Sequence, residues 1–285
     1  MHWTDRRERY RRVLAGNQCV HPASVFDPIS ARIGEELGFE IGMFAGSIAS
    51  FTVLGNPDLI LLTLTEFAQQ AYRINSAGKL PLMVDADHGY GNALNVMRTI
   101  KELESAGVAG IMIEDTSLPR GFGEAKPRLI SIEEGVGKMR AALAAREDPS
   151  LVIIGRTSAA AVTGIDDAIA RAKAYEAAGV DALFFAGGMN EANLDAMASA
   201  VKLPLMLGGG GGPMSDKAYL ASRNVRVALQ GHQPFSAAVQ AVYNTLKALR
   251  DGVKPSELQG VASADTMKRV TREGEYKSWT EKFLA

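Results

Sequence analysis

Cysteine is almost absent, with Cys19 the single one in 285 residues. That excludes a disulfide scaffold and any thiolate-based zinc site. Long apolar runs are missing as well. None approaches the ~18–20 residues that a membrane span needs, so no membrane partner is expected. Neither sign of charge is in excess: 31 Lys and Arg face 32 Asp and Glu, for a net charge of −1. A nucleic-acid partner is not expected either, because phosphate binding needs a concentrated basic face. The opening MHWTDRRERYRRVLAG is Arg-rich but has no apolar core segment, which argues against a secretory signal. Asp5 and Glu8 argue against an organellar transit peptide. The expected location is the cytoplasm. The expected structure of the opening is an amphipathic helix with Tyr10, Val13 and Leu14 inward. What is present, 47% apolar and 22% charged residues, is an ordinary globular composition. Glycine is mildly enriched at 29 residues, five of them consecutive from Gly208 to Gly212.

A repeating unit runs through the chain. Short apolar runs occur at VHPASVFD (20–27), IGMFAGS (41–47), PLMVDAD (81–87), GIMIED (110–115), LVIIGRT (151–157), ALFFAG (182–187), PLMLG (204–208) and RVALQG (226–231). Helical patterns separate most of them. In 92–107 the spacing of Leu94, Met97, Ile100 and Leu103 predicts one apolar helix face. In 131–148, Ser131 and Glu134 are spaced as a capping box. Helix ends recur as Ser76-Ala77-Gly78, Ser105-Ala106-Gly107 and Ala177-Ala178-Gly179. Strands apolar on both faces belong to parallel sheets covered by helices. Eight such units predict an α/β fold, a closed (β/α)₈ TIM barrel with peripheral N- and C-terminal helices. A doubly wound sheet would offer a glycine fingerprint after its first strand, and this one ends VFDP instead. We read 1–285 as one barrel domain. Its core covers 15–252, and 253–285 form a C-terminal helical extension.

In such a barrel the chemistry sits at the C-terminal ends of the strands. The polar residues there are Ser47 after strand two, Asp85, Asp87 and His88 after strand three, and Glu114 and Asp115 after strand four. Arg156, Thr157 and Ser158 follow strand five, and Gln230, Gly231 and His232 follow strand eight. Asp58 lies in the loop before the second helix. Asp85 and Asp87, two apart on a strand, are expected to share a face, with Ala86 turned to the helices. With Glu114 they form three carboxylates, a costly cluster without a cation. All-oxygen donors point to Mg²⁺, with Mn²⁺ as the alternative. Arg156 reads either as an ion-pair partner of Glu114 or Asp115, or as a guanidinium aimed at a carboxylate or oxyanion. His232 reads either as a helix-entry residue or as a catalytic one. His88 is a candidate for holding a carboxylate in place, and His21 and His2 have weaker cases.

VDADHGYGN (84–92), IED (113–115) and GRT (155–157) together resemble the isocitrate lyase / phosphoenolpyruvate mutase superfamily. SVFDPISARIGEELGFEIGMFAGSIAS (24–50), DADHGYGNALNVMRTI (85–100) and NVRVALQGHQPFSAA (224–238) look most like its oxaloacetate decarboxylase branch. The resemblance spans roughly residues 15–250. It implies Mg²⁺-dependent decarboxylation of oxaloacetate, or a close β-keto acid, to pyruvate and CO₂ through an enolate. By position, it implies Asp85 as direct metal ligand and Asp87 and Glu114 as ligands through water, with Asp58 in the outer shell. Ser47, Gly46 and Ile48 would bind the substrate carboxylate. Arg156 would contact carboxylate and keto oxygen, and His232 the other end of the substrate. The proton donor would be His232 or water. The resemblance also implies a homotetramer, a dimer of dimers that often exchanges the eighth helix. Here that helix is 234–252, with Phe235, Val239, Val242, Tyr243 and Leu246 on its apolar face.

Lyases of the superfamily carry a Cys acid/base after strand four. The corresponding TSLPRGFGEAKPRLIS (116–131) has none, although its length and two glycines suit a gate. The chain also departs from the decarboxylase pattern at Ser158, at Ala159 and at the Gly208–Gly212 run, which bears on the substrate. Two alternatives therefore stay open. One is a C–C or C–P bond lyase or hydrolase acting on a substituted malate or phosphonopyruvate. The other is a non-catalytic protein that binds α-keto acids.

Overall fold

The computed structural model describes residues 3–285, so the His2 reading lies outside the described residues. The chain packs as two compact units divided between Gly231 and His232. The first carries eight parallel strands in sequence order: β1 (Ala23–Ser24), β2 (Gly42–Phe44), β3 (Leu82–Asp85), β4 (Gly110–Glu114), β5 (Val152–Thr157), β6 (Ala182–Phe185), β7 (Leu205–Leu207) and β8 (Val225–Ala228). All eight fall within the apolar runs of the sequence or within one residue of them. Val20, just before β1, bridges to Val227 in parallel and joins the two edges of the sheet. Its amide donates to the Arg226 carbonyl at 2.9 Å, and its carbonyl accepts from Ala228 N at 3.0 Å. The barrel expectation holds, and β4 is buried along its whole length, as a strand covered on both faces must be.

The opening helix, Thr4–Ala15, contributes to the core from below. Tyr10 is fully buried, and its hydroxyl lies 3.6 Å from Met83 Sδ on β3 and 3.7 Å from Met206 Sδ on β7. Arg6 and Arg7 are buried too, beyond the expected inward set of Tyr10, Val13 and Leu14, of which Val13 is only half-buried. The reason is the unpaired carbonyls at helix ends. Arg6 Nη1 donates to the Asn75 carbonyl at 2.6 Å, and Arg7 Nη2 to the Glu104 carbonyl at 2.5 Å. Arg7 also pairs with Asp148 at 2.7 Å.

Local signals mostly act as expected, with exceptions. Gly107 (φ 84°) and Gly179 (φ 99°) end their helices in the left-handed region. Gly78 is extended instead. The Ser131 hydroxyl accepts from Glu134 N at 3.1 Å, forming one half of the predicted capping box. On the helix Ala93–Ser105 the buried face is Val96, Ile100 and Leu103 with Thr99, while Leu94 is 74% exposed. Leu94 sits in the first turn of this helix. The second unit, His232–Ala285, holds the helices Gln233–Arg250, Ala264–Thr271 and Glu273–Phe283.

Candidate active site

The end of β3 turns sharply. Ala86 N still donates to the Met112 carbonyl at 3.0 Å, and the Asp87 carbonyl accepts from Glu114 N at 2.8 Å. Asp87 itself has φ 48°, followed by Gly89 (80°), Tyr90 (61°) and Gly91 (146°). Strand alternation therefore stops at Asp85, and the turn brings Asp87 back beside it. Asp87 N donates to Asp85 Oδ1 at 3.2 Å. Neighbouring helices pin this turn. The buried Lys138 ammonium donates to the His88 carbonyl at 2.9 Å, and Thr99 Oγ1 to the Gly89 carbonyl at 3.0 Å. Neither residue stood out in the sequence, because each lies at helical spacing among apolar neighbours.

The turn after β2 closes on the same point. Ser47 does not end a strand. It lies in the short helix Gly46–Ala49, with Gly46 and Ile48 buried. A Cβ at Gly46 would stand 2.9 Å from both carboxylate oxygens of Asp87, so only glycine lets the Asp87 carboxylate rest there. Asp58 lies in the loop ahead of the helix Leu64–Ala77. Next to it Ile60 has φ 59°, a strained conformation for a β-branched residue.

These segments enclose a cavity of about 280 Å³ lined by Asp58, Leu59, Ile60, Asp85, Asp87, Glu114, Leu118, Arg120 and Arg156. Arg156, at the end of β5, pairs with Asp85 and lies 3.4 Å from Glu114 Oε2. Its guanidinium stacks 5.7 Å from the Phe184 ring centre. Thr116 Oγ1 donates to Glu114 Oε2 at 3.1 Å. Leu118 and Arg120 come from the 116–131 loop and were not singled out in the sequence. Asp115 turns away into the protein and bonds Arg171 and Tyr175. Arg156 thus has Asp85 and Glu114 as partners, not Asp115.

Negative charge is in excess here. Burial pushes the Asp87 carboxyl well above the carboxylate range, and Asp85, Glu114 and Asp58 push it further against Arg156. Burial, then Asp85, raise Asp58. Burial raises Glu114 despite the opposing Arg156. Burial works against the charge on Arg156, but Asp85 and Glu114 outweigh it and hold the guanidinium firmly protonated. A carboxylate cluster with raised pKa values, all oxygen donors and no sulfur nearby fits a hard divalent cation. Among the described residues no three His, Cys, Asp or Glu side chains are gathered at metal-ligating distance. Mg²⁺ tolerates that arrangement, because it keeps several waters and uses only one or two carboxylates.

The other candidates are His88, His21, His232, Cys19 and the glycine run. Burial, then Lys138, lower the His88 imidazole to about 4, so it is neutral at physiological pH. His21 Nδ1 lies 2.8 Å from the Ala228 carbonyl. His232 is the first residue of the second unit, where it precedes the helix Gln233–Arg250. Cys19 is 3% exposed, at the entry to β1 and away from the strand ends that carry the cavity. Burial pushes its thiol up to about 11. Gly209 (φ 106°) and Gly212 (φ 60°) make the glycine run a turn that only glycine forms readily, and it leads into the single turn Gly212–Ser215.

Known proteins share this arrangement of fold and sequence. The family profile of phosphoenolpyruvate phosphomutase matches residues 11–250. An oxaloacetate decarboxylase of Rhodopseudomonas palustris (strain BisB18) is 58% identical over 284 residues, covering 100% of this chain and 99% of that protein. One from Bradyrhizobium sp. (strain BTAi1) is 61% identical over 272 residues, covering 95% and 94%. Among solved structures, a phosphonopyruvate hydrolase complexed with oxalate and Mg²⁺ superposes with a TM-score of 0.86 at 28% identity, covering 98% of this chain and 99% of that one. An oxaloacetate acetylhydrolase bound to 3,3-difluorooxalacetate gives a TM-score of 0.85 at 25% identity, covering 96% of each chain. The chain belongs to the phosphoenolpyruvate phosphomutase family, within the superfamily that also contains isocitrate lyase.

Proposed function

We propose that this protein decarboxylates oxaloacetate to pyruvate and CO₂ with Mg²⁺. One observation carries the reading: a cavity that sets a carboxylate cluster against two arginines, with no thiol near it, in a chain 58% identical along its length to a protein named for this reaction. Asp85 would hold the ion directly, Asp87 and Glu114 through water, with Asp58 farther out. When bound, the ion acts as a Lewis acid towards the keto acid oxygens. The protein's own groups do the rest. Ser47 and the backbone at Gly46 and Ile48 receive the substrate carboxylate at the start of their short helix. Arg156 donates to the C2 oxygen. When the C3–C4 bond breaks, its electron pair moves into C2–C3, negative charge grows on that oxygen, and the fixed guanidinium meets it. CO₂ leaves beside Leu59, Ile60 and Leu118, whose apolar surface suits a neutral product better than a carboxylate. Arg120 supplies the second positive charge that draws a dianion into an acidic cavity. Protonation at C3, from His232 or water, completes pyruvate.

The buried, high-pKa Cys19 disfavours the thiol-dependent cleavage of substituted malates. Asp85→Ala tests the assignment. It should abolish pyruvate formation and weaken Mg²⁺ binding measured by calorimetry. Retention of either at the wild-type level removes Asp85 from the metal site.

We also propose a cytoplasmic homotetramer built as a dimer of dimers. Supporting it, the helix Gln233–Arg250 exposes Val242, Tyr243 and Leu246, each about 60% exposed or slightly more. Single scattered apolar residues need no partner, but a stripe of this kind does. Light scattering at dilution gives the assembly size, and a monomer would refute it.

A further inference from the structure

Behind the cavity lies a second polar cluster that takes no part in the chemistry above. Asp115 follows Glu114 at the end of β4 and is fully buried. Asp167, Arg171 and Tyr175 are spaced four apart on the helix Ile165–Ala178, so they share one face. Tyr175 Oη donates to Asp115 Oδ2 at 2.7 Å. Arg171 Nη1 donates to the same oxygen at 3.1 Å and to the Ile130 carbonyl at 3.0 Å, while its Nε donates to Asp167 at 2.9 Å. The fold makes room for this arrangement. A Cβ at Gly135 would collide with the Tyr175 hydroxyl, and one at Gly155 would press on its ring at 3.2 Å.

Asp115 and Ile130 are the two feet of the loop that carries Leu118 and Arg120. Ile130 N donates to the Asp115 carbonyl at 2.9 Å, Ser117 N to the Arg128 carbonyl at 2.7 Å, and Thr116 pairs antiparallel with Leu129. The loop therefore rises from a short two-stranded stem, and one guanidinium nitrogen touches both strands at its base. We propose that Arg171, seated by Tyr175 and Asp167, is a positioning residue: it clamps both feet of the 116–131 loop and so sets where Leu118 and Arg120 stand in the cavity. The kinetic consequence rests on the proposed decarboxylation, and the clamp itself does not.

Arg171→Lys tests this, because one ammonium cannot serve Asp115, Ile130 and Asp167 together. Tyr175→Phe keeps every charge and is the milder second variant. Hydrogen exchange of 116–131 should quicken roughly ten-fold in Arg171→Lys, the loss expected for one charge-assisted hydrogen bond, while β5 stays protected. Tyr175→Phe should show the same pattern at smaller amplitude. For oxaloacetate, KM should rise roughly ten-fold with a smaller change in kcat. In a double-mutant cycle, adding Arg171→Lys to Arg120→Ala should cost little more in kcat/KM, since both act through the loop. Unchanged exchange in both variants, or penalties that multiply in full, would overturn the proposal. If the wild type fails to turn over oxaloacetate, the substrate reading falls, and the exchange comparison still decides the clamp.

Discussion

Replacing Asp87 by Asn should stabilise the metal-free protein and abolish the stabilisation that Mg²⁺ gives. Asp87 is the cluster's deepest problem. Arg156 is engaged by Asp85 and Glu114, and burial with the neighbouring carboxylates pushes the Asp87 pKa well up. A carboxyl raised in the folded state contributes stability at low pH that is lost as pH rises through the folded pKa. Above the ordinary carboxylate range the wild type therefore bears a cost, of the buried charge or of the proton that suppresses it, that the isosteric amide lacks. Asn also tolerates the φ of 48° at this position, so the exchange adds no backbone strain. Relief of one buried like-charge contact is worth about 1–2 kcal/mol, which is ~2–8 °C in Tm for a domain of this size. The advantage should shrink as pH falls from the raised folded-state value to the ordinary carboxylate range, below which Asp87 is protonated folded and unfolded alike. Saturating Mg²⁺ should reverse the order, since a ligand at a hundred times its Kd adds about 2.7 kcal/mol to the protein that binds it. Differential scanning calorimetry, with chelator and with MgCl₂ across that pH range, measures both effects. A lower Tm for Asp87→Asn in chelator, or equal Mg²⁺ shifts in the two proteins, would refute the electrostatic account.

Arg156→Met should lower kcat by about 10²–10³-fold, the cost of one oxyanion donor, and should destabilise the metal-free protein by stranding Asp85 and Glu114. Steady-state kinetics and melting curves check the two halves. Gly46→Ala places a methyl 2.9 Å from both Asp87 oxygens, so turnover should fall up to about a hundred-fold with little change in Tm. Cys19, buried with its thiol pushed up to about 11, should resist iodoacetamide at neutral pH, with unchanged mass and activity.

The barrel was legible because the apolar runs are too short for helices and most are separated by a helical pattern. The carboxylates were legible because Asp85 and Glu114 end their strands and Asp87 follows two residues after Asp85. Strand alternation does not pair Asp85 with Asp87. Alternation ends at Asp85, and positive φ at Asp87, Gly89, Tyr90 and Gly91 makes the turn that returns Asp87 to the site. Ser47 sits in a helical turn for a similar reason, since the chain must fold back over Asp87. The supporting residues were invisible. Arg7, Lys138, Arg171 and Tyr175 meet partners 50 to 141 positions away, so no local pattern marks them. Arg6 and Arg7 read as solvated helix charges until their carbonyl partners are seen.

The central claim is that this carboxylate and arginine cavity decarboxylates oxaloacetate with a bound divalent cation. Its most direct test is a side-by-side turnover measurement on oxaloacetate, phosphonopyruvate and 2,3-dimethylmalate, following CO₂, pyruvate and phosphate in the presence of MgCl₂ and of EDTA. The account predicts equimolar CO₂ and pyruvate from oxaloacetate, lost in EDTA and restored by Mg²⁺, with no comparable reaction of the other two. A rate on oxaloacetate no higher than that of free Mg²⁺, or phosphate release from phosphonopyruvate as the faster reaction, would contradict it.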